Sequence, residues 1–498
     1  MKLRGVLVLV LGVAPLALAA SCTTKSPAPT YKSREELLDP QACSGCHQQH
    51  YVDWSGSMHA YASDDPVFQA MNKRGQRETD GGLGNFCVNC HAPMAVREGA
   101  TTDGLNVASL PSKLKGVTCY FCHTVDSVQG THNDPLHLGG DVTMRGELKD
   151  PVANGAHPST YSPLVDHNQG DSAALCGTCH DIVTTQNAAI ERTFQEWQGS
   201  AYATQAGNTC GQCHMLRSQT MVPIAENPDG PLRIYHSHLL PGADVGLTPN
   251  LTQADAQAQG VQDRLDNTFQ GALCVVQQDG FGAIRVILDN VGAGHNVPSG
   301  SAQDRRLWAE VIAYKGGTAF YKSGVVPDGT PVTTVMNDPD LWLIRDCMLD
   351  GTGKHVDMFW QAAGYESNLF PVQATFDPMD PRYYQTHIVQ YYPRDPSAVL
   401  PAAPDQVTLR VRLQPMGLDV LQDLVKSGDL DPSIPGAMPT FDINFGTQAT
   451  LTWTSAAAMG PPSYIEPETH HPVACVSTPN FNLVADKVPA TNHTKCQP

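Results

Sequence analysis

Basic residues are scarce in this chain: 31 Lys plus Arg stand against 49 Asp plus Glu over 498 residues, a formal charge of −18. They cannot assemble a face dense enough to neutralise a phosphate backbone. Nucleic acid is therefore excluded as a partner, and a protein with a basic docking patch is the complementary choice. Long apolar runs are also missing. After the N-terminal segment nothing approaches the roughly 20 apolar residues of a membrane-spanning helix, so any membrane contact is by an anchor. No Ser/His/Asp or carboxylate constellation asks for acid–base chemistry. The length allows two or three domains.

What is present is one pattern, Cys-x-x-Cys-His, five times over: Cys43, Cys46 and His47; Cys87, Cys90 and His91; Cys119, Cys122 and His123; Cys176, Cys179 and His180; and Cys210, Cys213 and His214. Two thiols at this spacing reach the two vinyl groups on one edge of a porphyrin, and the adjacent imidazole swings under the ring as proximal iron ligand. Zinc knuckles and disulfides also use paired cysteines, but neither requires a His after every second Cys. The expected cofactor is haem c, five copies, covalently bound.

Lys2 and Arg4, the uncharged run from Val6 to Ala20 and small residues up to Ser21 read as a signal peptide over 1–21. The chain is expected to be exported, which this mode of haem attachment requires. Leu18-Ala19-Ala20-Ser21-Cys22 resembles a bacterial lipobox with Ala19 where Leu is usual, making Cys22 the lipidation candidate. With Thr23 after the Cys, the lipobox rule implies the outer membrane of a Gram-negative bacterium; periplasm and cell surface are the other locations. Residues 22–40, rich in Ser, Thr and Pro, read as a flexible tether.

Residues 41–245 form the expected pentahaem domain, mostly irregular because macrocycles replace much of the apolar core. Short helices are expected at Arg34–Leu38, Asp64–Lys73 and Ala188–Trp197. Of the 19 histidines, five are proximal, leaving 14 for the distal faces. The segment from Cys43 through Tyr51, Trp54, Ser57, His59 and Ala60 resembles the first haem-binding segment of multihaem cytochromes related to the tetrahaem cytochrome c of nitrifying bacteria. That resemblance makes His59 a distal ligand, with His50 as its competitor. Similar segments at His157-Pro-Ser-Thr-Tyr, at Glu196-Trp197 and Ser200 before the fifth motif, and at His236-Ser-His238 imply His157 and either His238 or His236. Gly294-His295-Asn-Val-Pro298-Ser-Gly300 resembles the turn by which the β domain of such proteins hands a His back to a haem. His132 and His137 compete for what remains. Met58, Met94, Met144, Met215 and Met221 are the alternative ligands, or pack against porphyrin.

After a polar linker at 246–270, strands are expected at Leu273–Gln277, Ala283–Leu288, Leu307–Tyr314, Ala319–Lys322, Val407–Leu413, Phe441–Asn444 and Thr450–Trp453, with one helix at Leu418–Ser427. These give a C-terminal antiparallel β-sandwich over 271–460 and a Pro-rich tail over 461–498. Cys274, Cys347, Cys475 and Cys496 allow three disulfide pairings, of which Cys475 with Cys496 would tie down the tail.

The expected function is electron transfer along a chain of bis-His haems, in respiratory or extracellular metabolism, between a redox protein donor and acceptor. A multihaem oxidoreductase acting on nitrite or hydroxylamine at one open iron is the alternative, although no Cys-x-x-Cys-Lys site is present. Self-assembly as a filament or outer-surface conduit subunit is the third reading.

Overall fold

The computed structural model describes residues 31–481, apart from short gaps at 227–229, 250, 252, 279–280, 396, 457–462 and 466–469, together with Cys496. The expected signal peptide, Cys22 and most of the expected tether lie outside the described residues. Among those described, no helix is long and apolar enough to cross a membrane.

The haem-motif segment is built from short helices and two-stranded ribbons. Its longest helix, Pro66–Glu78, starts where Asp65 accepts the Val67 amide and Pro66 occupies the first turn. One face of it, Val67, Ala70 and Met71, is buried against Leu418, Val420, Leu421 and Leu424 of the helix Leu418–Lys426. Arg74 Nη1 donates to Asp423 at 2.6 Å and Arg77 Nη2 to Asp429 at 2.6 Å along the same seam. The two halves of the chain therefore share a core.

Two antiparallel sheets dominate the C-terminal part. In the first, the order is His387–Tyr392, Phe281–Asn290, Phe269–Gln278, Pro472–Ser477, Ser463–Ile465. In the second, Thr318–Ser323, Arg306–Lys315, Gln406–Gln414 and Phe441–Ile443 run in order, with Trp342–Ile344 and Leu451–Thr454 paired alongside. Leu273, Val275 and Val286 of one sheet and Leu307, Val311, Leu409 and Val411 of the other belong to one buried cluster. A separate three-stranded sheet, His355–Val356, Asp346–Leu349 and Gly364–Ser367, adds to them. The C-terminal part is thus a set of antiparallel sheets, two of which share one core.

Three details differ from the expectations. The 246–270 linker contains a helix, Ala254–Leu265, tied down by Gln257 Nε2 donating to the Gly56 carbonyl at 2.7 Å and Arg264 to the Cys213 carbonyl at 2.9 Å. Its buried side is only Gln257, Gly260, Val261 and Leu265, too polar to show a helical period. Within 188–197, Ala189–Glu191 is a strand paired with Ile182–Val183, and only Thr193–Gln198 is helical. The tail returns to the first sheet through Pro472–Ser477, where Cys475 lies directly across from Cys274 and forms a disulfide with it. The second disulfide joins Cys347 to Cys496, so Cys475 and Cys496 are not partners.

Candidate functional site

The third and fifth Cys-x-x-Cys-His motifs are each one turn of helix, capped by the threonine that precedes them: Thr118 accepts the Phe121 amide, and Thr209 accepts the Gln212 amide. Such a helix begins on the first thiol and ends on the His, so all three groups project from one turn. The second motif is helical over Val88–His91, whereas the fourth is helical only at Cys176 and Gly177, where the helix Gly170–Gly177 ends.

The first motif, like the fourth, leaves the helix before its second cysteine: the helix Gln41–Ser44 ends before Cys46, which stands exposed in the turn that follows. The turn is nonetheless fixed: the Cys46 amide donates to the Cys43 carbonyl at 3.1 Å, and the Cys46 carbonyl accepts the Glu226 amide at 2.7 Å. Cys213 of the fifth motif is the other exposed member, whereas the remaining eight motif cysteines are half-buried. All ten are free of disulfides, so each thiol is available for attachment. Exposure leaves Cys46 and Cys213 in that role, because a thioether needs reach to a vinyl carbon rather than burial.

Each motif imidazole is oriented through Nδ1. His47 hydrogen-bonds the Ile224 carbonyl at 2.9 Å, His91 that of Ala62 at 3.0 Å, His123 that of Arg145 at 2.6 Å and His214 that of Pro241 at 2.8 Å. His180 instead has the Glu191 carboxylate 3.5 Å from Nδ1. A carbonyl acceptor at Nδ1 leaves Nε2 as the nitrogen for a metal, the usual outer partner of a ligating His.

Four of the five motif rings face a second imidazole at nearly one spacing. Ring centroids are 6.4 Å apart for His47 and His157, 6.1 Å for His59 and His180, 6.3 Å for His123 and His238, and 6.4 Å for His214 and His295. A metal with a ligand nitrogen about 2 Å away on each side sets two imidazole centres roughly 6 Å apart. The residues present therefore fit an iron held between each pair. His157, His238 and His295 also place Nδ1 on a backbone carbonyl, of Pro158, His236 and Asn296. Burial lowers the His59 value to about 3 and those of His214 and His238 to about 4, and it lowers His91, His123, His157 and His295 as well. All are thus held as neutral imidazole, the form that ligates. His180 differs: desolvation pulls its value down, but Glu191 overrides this and lifts it to about 9.

His91 stands apart. Phe68 stacks on its ring, with centroids 4.1 Å apart and planes 6° from parallel. Among the described residues no second imidazole faces it at the spacing of the other four.

The facing histidines are fixed by contacts distant in sequence. The carbonyl of His59 accepts the Val117 amide at 2.8 Å, and Gly116, at φ +65°, lies so close that a Cβ there would sit 2.4 Å from the Ala60 carbonyl oxygen. Asp53 accepts from Tyr235 at 2.5 Å, from the Ser237 hydroxyl and from the His238 amide at 3.3 Å. The His295 turn is bound to the haem segment by Glu196, which accepts from Asn296 N at 3.2 Å and Ser299 Oγ at 2.7 Å. The roles of Asp53 and Gly116 in holding these turns carry no sequence signal of their own, whereas Glu196 lies in a segment that resembles other multihaem cytochromes.

The remaining candidates lie elsewhere. His50 packs edge-on to His47 and His238, with interplanar angles of 83° and 78°. His137 is exposed beside Asp126, His132 is exposed beside Thr131, and His236 lies against His167 and Glu147. Met94 is buried with Val88 and Tyr120, and Met221 is largely exposed.

The motifs lie close to one another. His50 packs against His47 of the first motif and against His238, which faces His123 of the third, and the helix Gly170–Gly177 that opens the fourth motif packs against Cys210–His214 of the fifth.

The family described as cytochrome c554 and c-prime matches residues 42–124. A search of curated proteins finds no match. Among solved structures, the penta-heme cytochrome c552 from Thermochromatium tepidum shares the fold, with a TM-score of 0.58 at 16% identity, over 84% of this chain and 99% of that one. The family match and the five motifs support a multihaem cytochrome c with covalently bound haem.

Proposed function

We propose that the chain is an exported electron-transfer cytochrome carrying five haems, four of them bound between two histidines. The pairs are His47 with His157, His180 with His59, His123 with His238, and His214 with His295. The observation that carries this reading is the common 6.1–6.4 Å spacing of those four ring pairs. Each haem supplies one-electron chemistry. The chain's own residues set the ligands, bury them, and fix the order of the sites.

The first and third motifs are neighbours through His50, whose ring packs against His47 and against His238, the imidazole facing His123, and the fourth and fifth are neighbours through the helices Gly170–Gly177 and Cys210–His214, which pack together. With a charge of −18 before any propionates are counted, the donor and acceptor are proteins with basic docking patches. Cys22 is the lipid anchor of the exported chain, placing it in the periplasm or on the outer membrane.

That no imidazole faces His91 among the described residues favours a second reading, catalysis or small-ligand binding at the second motif. An iron held there by His91 alone keeps one position open, as an oxidoreductase acting on nitrite or hydroxylamine needs. Low-temperature EPR of the oxidised protein, beside a haem count by intact mass, tests both. Five haems with four low-spin centres and one high-spin centre are expected. Five low-spin centres would remove the second reading, and several high-spin centres would remove the pairing.

A further inference from the structure

Glu147, His167 and His236 form a cluster of metal-binding side chains apart from the five motifs. Each carboxylate oxygen of Glu147 faces a different imidazole: Oε2 is 2.5 Å from His167 Nδ1, and Oε1 is 3.2 Å from His236 Nδ1. The two rings are 3.8 Å apart, tilted by 47°. One ligand atom from each residue falls within 4.8 Å of the other two. Donors bonded to one ion at about 2.0–2.2 Å lie about 3 Å from each other, so small rotations of these side chains converge on a single point.

The arms of the cluster are braced. The His167 carbonyl accepts the Thr209 hydroxyl, the same group that caps the fifth motif's helix, and Gln212 Nε2 reaches Asn168 Oδ1 at 3.2 Å. A Cβ at Gly211 would lie 3.0 Å from the His167 Cβ, so glycine inside the fifth motif makes room for this ligand. Glu147 directly follows the strand Met144–Gly146, and His236 ends the strand Arg233–His236. Among the described residues no Lys or Arg forms an ion pair with Glu147, whose charge is met only by the two imidazoles. Side-chain exposures of 27% for Glu147, 13% for His167 and 10% for His236 describe a site enclosed on most sides but reachable from solvent.

We propose that Glu147, His167 and His236 bind a divalent first-row transition cation of the Zn2+ class, with solvent completing its coordination. Two imidazoles and one carboxylate are too soft a set for Ca2+ or Mg2+ and lack the thiolate that selects Cu+. Water or another exogenous ligand takes the fourth position of a tetrahedral ion.

The test uses the full haem-loaded protein, stripped with a mild chelator and dialysed against Zn2+ at pH 7.5. Bound zinc is measured beside haem content, which reports folding. One Zn2+ per chain is expected. His167→Ala and Glu147→Gln should each weaken it by at least the roughly 10–100-fold that loss of an outer-shell partner costs, while His137→Ala, at an exposed site away from the cluster, leaves it unchanged. Should His167→Ala lose haem, Glu147→Gln decides the matter alone. Absence of stoichiometric zinc after the stripped protein is dialysed against Zn2+, or unchanged affinity in a haem-replete Glu147→Gln variant, would overturn the proposal; the three residues would then be a hydrogen-bonded triad only. Neither outcome depends on how the five haems are ligated.

Discussion

His214 of the fifth motif and His295 of the β-rich part face each other with ring planes 10° from parallel and centroids 6.4 Å apart. The turn carrying His295 is held by Glu196 and by Asn290 Nδ2, which donates to the His295 carbonyl at 2.7 Å. Replacing His295 by Ala removes one ligand without touching the thiols that attach the haem. The expected result is five haems by mass and one additional high-spin centre by EPR. A spectrum unchanged from the parent would remove His295 as a ligand.

Glu191 is the carboxylate beside a motif imidazole, 3.5 Å from His180 Nδ1. A carboxylate there draws the Nδ1 proton and makes the ligand more electron-rich, which stabilises the oxidised iron. Glu191→Gln should raise the potential of one centre, by at most on the order of 100 mV for a unit charge a few ångströms beyond the ligand. Spectroelectrochemical titration of the five centres reads this directly.

Asp65 caps the helix Pro66–Glu78 from a desolvated position, and burial pushes its carboxyl from 3.8 up to about 7, with Asp244 adding to the shift. A folded value above the unfolded one means that the folded state binds more protons between these limits. Stability contributed by the protonated group is full below about pH 4 and is lost as pH rises through 7. Asp65→Asn keeps the capping acceptor and removes the charge. The variant should match the parent at pH 4 and exceed it by up to about 4 kcal/mol at pH 8 in denaturant titrations. Equal curves at both pH values would refute this.

The five motifs were fully legible because thioether attachment demands adjacent residues of fixed type. Their local shape was not: nothing in the pattern separates Cys46, exposed in a turn, from Cys122, half-buried in a helix, because neighbouring segments decide how far each motif is covered. His59, His157, His238 and His295, which face motif imidazoles in the structure, stood out in the sequence only through segments that resemble other multihaem cytochromes. Which motif each one faces was not legible, since His59 belongs to the first motif's segment yet faces His180 of the fourth. The main strands were visible in alternations such as Val407 to Leu413, where the inward residues are buried and the arginines pair with acids. The Ala254–Leu265 helix and the Pro472–Ser477 strand were not. Each is stabilised by distant partners, Gly56 and Cys213 for the first and Cys274 for the second, rather than by its own periodicity.

Leu421 tests whether the two halves of the chain unfold together. It is fully buried in a cluster that joins Val67, Ala70 and Met71 of the haem-motif segment to the helix Leu418–Lys426. Truncating a buried Leu to Ala removes its transfer energy and leaves a cavity, a cost of about 2–5 kcal/mol. Because the cluster draws on both halves, that loss should appear equally in Soret absorbance, which reports the haem segment, and in tryptophan fluorescence, which reports Trp308, Trp342 and Trp453 of the β-rich part as well. Coincident midpoints, both lowered in Leu421→Ala, are expected. A midpoint that falls in one signal and stays fixed in the other would mean that the halves fold independently and that the seam at Arg74, Arg77 and Leu421 contributes nothing to the haem array.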